Sequence, residues 1–314
     1  MFSFSKWYFD AQTEEGDFLF AYLAPFSLLG SKTLELVLCY FPREGGEVRR
    51  CFHLPHSALG VEDQGRIAHF GCGELDVGEV RSTFSFRIQD AGLRLNYVRL
   101  DPPFVPPDDG KLLGIGKRSL HWQVPLPRAT VTGKVRIGNM EREFEGFGYH
   151  DLVRTNIPPW KLPLRELLWG RAIGPGGCVI WNQPRFEIHG DEHTVGFGWL
   201  RIGEEEPETF SDLSFSTSRW VDHSGTDDRY PDAMSVEFGG QGTPVRAEVS
   251  GTRLLLGDYV ANVQQFRNRF ERWLYRTFTG DPVEYKLLSR VNVAQIPGSL
   301  WAAHERVLWA LDKV

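Results

Sequence analysis

The stretch LRLNYVRL, residues 93–100, decides the fold prediction because apolar and polar side chains alternate along most of it. Successive side chains of a β-strand point to opposite faces, so this pattern is typical of a sheet with one buried face. KTLELVLCYF (32–41) shows the same alternation through its TLELVL core. Both stretches therefore predict strands.

Short apolar runs of this kind continue along most of the chain and are separated by Gly, Pro and Asp. The clearest further examples are FLFAYLAPF (18–26), STFSFRIQD (82–90), ATVTGKVRI (129–137), EREFEGFGY (141–149) and the hairpin-like RAIGPGGCVIWNQP (171–184). Regularly spaced short strands with few helical candidates predict an all-β sandwich or barrel.

Two stretches are compatible with peripheral helices. In residues 260–278, helical spacing places Val263, Phe266, Phe270, Trp273, Leu274 and Phe278 on one face. Residues 299–314, SLWAAHERVLWALDKV, form the second candidate. We interpret the aromatic stripe of the first helix as a face that packs against a barrel, because an amphipathic helix must bury that face.

Two proline-rich stretches interrupt the strands, and proline excludes a regular helix in either. DPPFVPPDDG (101–110) is expected to form an exposed loop or a lid, and NIPPWKLPLRE (156–166) the domain linker. The predicted domains are therefore residues 1–163 and 164–314, with both candidate helices in the second.

The bulk composition excludes several classes of protein. A net charge of −6 argues against a nucleic-acid partner, because neutralising phosphates needs clustered Lys and Arg. No apolar run approaches the roughly 18 residues of a membrane span, and no signal peptide is visible, so we expect a cytoplasmic protein. The sequence has no Cys-x-x-Cys, HExxH or GxGxxG motif in a suitable context, and we predict no metal and no cofactor.

Three segments in order carry a resemblance to a known family. They are KWYFDAQTEEGDFLFAYL (6–23), HWQVPLPRATVTGKVRIGNMEREFEGFGYHD (121–151) and LLWGRAIGPGGCVIWN (167–182). Together they resemble the carotenoid 1,2-hydratase (hydroxyneurosporene synthase) family and the related lipocalin-like proteins that include cofactor-free Diels–Alderases.

This resemblance implies a fold and a kind of ligand. The expected fold has two lipocalin-like β-barrel or sandwich domains, with a hydrophobic cavity between them. The expected ligand is a hydrophobic small molecule, specifically a polyene, isoprenoid or polyketide-derived compound. The oligomeric state stays open.

The resemblance also points to site residues. Tyr149, His150 and Asp151 match the motif's G-Y-H-D portion and are the candidate catalytic residues, with His150, Tyr149 and Arg171 as hydrogen-bond donors. The candidate substrate-binding residues are Trp169, Arg171, Trp181, Asn182, Trp7, Tyr8 and Asp10, of which Trp169 and Trp181 would form walls. A structural role competes with each assignment. Asp151 and Arg171 could be a buried pair that locks strands, and Trp7, Tyr8 and Asp10 could be ordinary strand packing.

The chain departs from the hydratases where their acid chemistry is expected. The family motif G-Y-H-D-H-N-W-G continues here as GYHDLVRT (148–155), and the later acidic position holds Asn182. An amide cannot protonate an alkene, so straightforward carotenoid hydration is disfavoured, and Asp10 is the one candidate for a relocated acid. We therefore favour a cofactor-independent cyclase of Diels–Alderase type, an isomerase or a hydratase, since positioning alone can lower a barrier substantially. The alternative is a non-catalytic lipid or pigment carrier, because fold does not fix function.

Overall fold

The chain divides into two compact units, unit 1 (Met1–Pro158) and unit 2 (Pro159–Val314). The structure is a computed structural model that describes residues 2–28, 31–63, 66–226, 228–240, 244–260, 269–279 and 281–309. Each unit is built around one antiparallel sheet that curls over its own core. The predicted all-β class with two lipocalin-like domains is confirmed.

Unit 1 contains a twelve-stranded sheet in the order β4-β3-β2-β1-β12-β11-β9-β8-β7-β6-β5, with β10 paired to β11. Its strands are β1 (Ser3–Gln12), β2 (Phe18–Leu28), β3 (Ser31–Phe41), β4 (Val48–Pro55), β5 (Gly60–Glu62), β6 (Ile67–His69), β7 (Gly73–Val77), β8 (Arg81–Ile88), β9 (Ala91–Arg99), β10 (Lys111–Ile115), β11 (Arg118–Ile137) and β12 (Met140–Thr155). The first strand pairs with the last, β1 with β12.

Alternation determines which side chains of unit 1 enter its core. On β3, Leu34, Leu36 and Leu38 are fully buried in the core cluster, and on β9 the core positions are Leu93, Leu95 and Tyr97. The two stretches that suggested strands from the sequence thus supply core strands.

Unit 2 repeats this arrangement with ten strands in the order β17-β16-β14-β13-β22-β21-β20-β19-β18, with β15 paired to β14. They are β13 (Leu164–Gly174), β14 (Gly177–Ile188), β15 (Asp191–Thr194), β16 (Phe197–Ile202), β17 (Glu208–Phe210), β18 (Asp212–His223), β19 (Asp228–Gly239), β20 (Val245–Tyr259), β21 (Val283–Val293) and β22 (Leu300–Leu308). The predicted hairpin between Gly174 and Gly177 joins β13 to β14. Here too the first strand pairs with the last, β13 with β22.

One of the two predicted helices is present in part and the other is wrong. Helix α1 spans Arg269–Thr279, whereas Val263 and Phe266 of the predicted stripe lie outside the described residues. Residues 299–314 were expected to be helical, but Leu300–Leu308 is strand β22, hydrogen-bonded to β13 and β21. Pairing on both sides within a buried sheet outweighs the local helix preference of AAHERVL. Residues 310–314 lie outside the described part.

The proline-rich segment 101–110 is attached to the body of unit 1 at two points. Arg128 and Asp101 form a buried ion pair, with Nε–Oδ2 and Nη2–Oδ1 distances of 2.8 and 2.9 Å. Phe104 and Val124 exchange backbone hydrogen bonds of 2.9 and 2.8 Å. Whether the segment moves as a lid stays a prediction.

Candidate functional site

Strand β12 lies between β1 and β11 and carries the three predicted catalytic residues next to one another. Adjacent side chains on a strand point to opposite faces. Tyr149 and Asp151 therefore share one face, opposite Asp10 and Tyr8 of β1, whereas His150 lies opposite Phe9 on the core face.

Asp151 is the centre of a buried polar cluster on the face away from the core. Its Oδ2 accepts hydrogen bonds from Trp122 Nε1 and from the Tyr149 hydroxyl, each at 3.1 Å. All three side chains are buried. Two donors on one oxygen stabilise a carboxylate, so Asp151 is suited to accept hydrogen bonds or a proton rather than to donate one.

His150 is held in the core by stacking and by one hydrogen bond. Its ring lies parallel to that of Phe9, with centroids 3.9 Å apart, and Nδ1 donates to the Tyr8 carbonyl at 2.8 Å. Burial, with a smaller contribution from Arg99, lowers the pKa of His150 to about 3. The imidazole is therefore neutral at physiological pH and, pointing away from Asp151, does not form an acid/base dyad with it.

The other predicted residues of unit 1 divide between the two faces. Trp7 belongs to the core cluster, together with Phe9. Tyr8 and Asp10 are buried on the opposite face, which they share with Tyr149 and Asp151.

In unit 2 the predicted residues also divide by strand alternation. Trp169 lies opposite Asn182 across β13 and β14, while Trp181 lies opposite Gly170 and belongs to the core. Arg171 is fully buried, and its Nη1 donates to the Trp301 carbonyl at 3.3 Å. Only Trp169, Arg171 and Asn182 therefore share the face away from the core.

The structure also contains a second buried histidine, His304 on β22, which no sequence motif indicated. Its Nε2 is 2.8 Å from the Ser289 hydroxyl, which is itself 2.8 Å from Thr252 Oγ1. Burial lowers the pKa of His304 to about 3. His304 lies opposite Gly170 on the first strand of unit 2, as His150 lies opposite Phe9 on the first strand of unit 1.

Other features of the described residues lie away from these faces. A surface depression of about 670 Å³ in unit 2 is lined by residues such as Arg246, Asn292 and Ile296, and by none of the predicted site residues. In the described part of the chain, no three His, Cys, Asp or Glu side chains are grouped to hold a metal. Within the same ranges, no helix is long and apolar enough to cross a membrane.

Comparison with solved structures identifies the fold. The chain is similar to CghA in complex with Sch210972, at TM-score 0.70 and 12% identity, covering 98% of this chain and 88% of that one. It is also similar to a protein of Nitrosomonas europaea assigned as AttH (TM-score 0.66, 14% identity, 98% and 92% covered). A third match is kievitone hydratase from Nectria haematococca (TM-score 0.61, 11% identity, 98% and 89% covered).

These similarities extend over both units and confirm the fold expected from the carotenoid-hydratase-like resemblance. No protein-family model matches the chain, and no curated protein matches it. At such low identity the solved structures establish the fold, and the chemistry must be argued from the residues themselves.

Proposed function

We propose that this protein is a cofactor-independent enzyme that binds a hydrophobic polyene, isoprenoid or polyketide-derived substrate and catalyses its cyclisation, isomerisation or hydration. The observation that carries the proposal is the buried cluster of Tyr149, Asp151 and Trp122 on the face of unit 1 away from the core. Kievitone hydratase, an enzyme by name, and CghA, which binds Sch210972, have the same fold and support this class.

The cluster combines an apolar environment with few, fixed polar groups, which is the usual composition of a small-molecule site. Tyr149 and Trp122 hold the Asp151 carboxylate in one orientation. A substrate hydroxyl or enol lying there would meet an acceptor whose position is already fixed, so little reorganisation is needed in the transition state. Tyr8 and Asp10 line the same face beside the cluster. Trp169, Arg171 and Asn182 of unit 2 are further candidate substrate-binding residues.

The proposal is tested by turnover of three probes: squalene, lycopene and a linear tetraene ester. We expect the wild-type protein to convert at least one probe, detected by chromatography and mass spectrometry. Replacing Asp151 by Asn should lower turnover about 100-fold, the typical effect of losing one positioned catalytic group. Reaction in heavy-oxygen water distinguishes hydration, which incorporates the label, from cyclisation or isomerisation.

A matched control is available in the same unit. Tyr40 donates to Asp17 Oδ2 at 2.7 Å, so Tyr40→Phe removes a tyrosine–aspartate hydrogen bond outside the cluster. Tyr149→Phe should reduce turnover and Tyr40→Phe should not. Equal effects of the two variants on turnover would contradict the proposed site.

The alternative is a carrier. It would be supported if the protein copurifies with a lipid in native mass spectrometry but converts no probe.

A further inference from the structure

Several aromatic side chains lie beside the Asp151 cluster on the same face of unit 1. This aromatic face consists of Tyr8, Phe18, Phe20, Tyr22, Phe41 and Tyr149. Phe20 stacks on Tyr8, Phe41 and Tyr22, with centroid distances of 5.9, 5.8 and 6.5 Å. Aromatic faces attract positive charge through their quadrupole, so the surface is suited to stabilise a carbocation.

Glu35 lies at the edge of this aromatic face. It is on β3, opposite Ala24 of β2 and His53 of β4, next to the strand position of Tyr22. The side chain is half-buried, whereas Val37 and Cys39 further along the same face of β3 are buried. Glu35 therefore borders both the buried aromatic surface and solvent.

One hydrogen bond orients the Glu35 carboxyl. Cys51 Sγ donates to Glu35 Oε1 at 3.2 Å. Burial, with the negative charge of Glu35, raises the pKa of the Cys51 thiol, so Cys51 stays protonated and acts as a donor rather than a nucleophile.

The charged groups around Glu35 do not cancel the effect of burial on its pKa. Burial raises the pKa of Glu35, and the Cys51 hydrogen bond together with His53, Arg49 and Lys6 offsets this only in part. Lys6 lies over the rings of Tyr8 and Tyr22, at 5.3 and 5.2 Å from their centroids. The groups that face Glu35 are Lys6 from β1, Tyr22 from β2, and Arg49, Cys51 and His53 from β4.

We propose that Glu35 is the proton donor of this enzyme and protonates a carbon–carbon double bond of a substrate lying on the aromatic face. This inference rests on the proposed function and narrows it to acid-initiated chemistry. It also provides the acid that the sequence lacks at Asn182. Glu35 and Asp151 are three strand spacings and two residue positions apart on one face, roughly 16 Å, which a linear polyene can span.

The step balances without a cofactor. The π electrons of the alkene form the new C–H bond, and the O–H electron pair remains on the Glu35 carboxylate. The other alkene carbon becomes a carbocation facing those rings of the aromatic face that Lys6 does not already cover. The cation then loses a proton from a neighbouring carbon, which gives an isomer or a cyclised alkene, or takes up water and releases a proton, which gives an alcohol. Solvent at the edge of the face returns a proton to Glu35.

The other acidic and basic side chains of this region are poorly suited to the same task. Asp151 accepts two hydrogen bonds on one oxygen, which stabilises its charge. His150 is neutral and lies on the core face. Asp10, the candidate acid from the sequence, is fully buried, so solvent does not reach it to return a proton. Glu35 combines a raised pKa with access to solvent.

Turnover of the same three probes in deuterated buffer tests the proposal. We expect the wild-type product to carry one carbon-bound deuterium and turnover to fall as the pH rises, because the protonated acid is the reactive form. Glu35→Gln resembles the neutral acid in shape but cannot transfer a proton, so turnover should fall at least about 100-fold. Glu35→Asp should keep part of the activity with a shifted pH profile, and Glu74→Gln, an exposed glutamate of the same unit, should match the wild type.

The outcomes separate the two proposals. Deuterium-free product from the wild type, or full turnover by Glu35→Gln, would remove Glu35 as the donor and leave the enzyme proposal in place. Binding of the probes can be measured by quenching of tryptophan fluorescence. If the wild type binds the probes but does not convert them, both the enzyme proposal and the Glu35 proposal are overturned. Urea unfolding of each variant checks that a loss of turnover is not a loss of fold.

Discussion

The alternation of side chains along strand β12 determines the roles of Tyr149, His150 and Asp151. The sequence motif correctly placed the three side chains together on one strand, but strand alternation separates His150 from its neighbours. Trp122 and Glu35 could not be recognised from the sequence, because their partners Asp151 and Cys51 lie 29 and 16 positions away and no local motif joins them. Long-range pairing of this kind is determined by strand register, which single residues do not reveal.

A second residue-level feature is the buried ion pair between Asp101 and Arg128, whose side chains are 0% and 6% exposed. Asp101→Asn would remove the carboxylate that pairs with the buried Arg128 and should lower the free energy of unfolding by about 3–5 kcal/mol, measured by urea denaturation. The double variant Asp101→Leu with Arg128→Met should be less destabilised than the single variant, because no charge is then left buried.

An exposed pair provides the matched control for this prediction. Arg50 and Asp90 form a similar forked contact on the surface, at 2.8 Å. Asp90→Asn should change stability little, because water screens exposed pairs. If Asp101→Asn were as mild as Asp90→Asn, the buried pair would not anchor the proline-rich segment.

At the scale of elements, sequence alternation predicted the strands well and failed where pairing overrides local preference. LRLNYVRL and TLELVL became core strands, because alternation directly reflects one buried face. The stretch at 299–314 contains Ala, Glu, Arg and Leu, which favour helices, yet β22 is held on both sides by other strands. β21 directly precedes it in the chain, but its other neighbour, β13, is distant in sequence and leaves no trace in the local pattern.

The contact between β13 and β14 gives a prediction at this scale. A Cβ added at Gly170 would lie 2.2 Å from Trp181 Cζ2 and 2.7 Å from His304 Cβ. Gly170→Ala should therefore destabilise unit 2 by about 1–3 kcal/mol through overpacking. Gly60→Ala, where a Cβ meets no atom within 4 Å, is the control and should be nearly neutral in thermal unfolding. A neutral Gly170→Ala would mean that the indole of Trp181 shifts freely, and hence that the core there is loosely packed.

At the scale of the whole molecule, the two units repeat one plan, with the first strand paired to the last and a buried histidine on the last strand. His150 and His304 lie opposite the equivalent positions Phe9 and Gly170, and burial lowers the pKa of each to about 3. In the unfolded chain each would titrate near its ordinary pKa of about 6.5. Between these values the unfolded state binds the proton and the folded state does not.

Above about pH 7 these histidines should therefore not change the free energy of unfolding. Below about pH 6.5 the free energy of unfolding should fall as the pH decreases, by up to roughly 1.4 kcal/mol per pH unit for each histidine. His150→Phe keeps the stacking on Phe9 and should remove the contribution of His150 to this pH dependence. His304→Phe should remove the contribution of His304. Because the two residues lie in separate cores, their contributions should add in the double variant. His69→Phe, which replaces an exposed histidine, should leave the pH dependence of stability unchanged.

The test is urea unfolding of the wild type and these variants at several pH values. A slope that survives in the double variant would mean that groups other than these two histidines cause the loss of stability in acid.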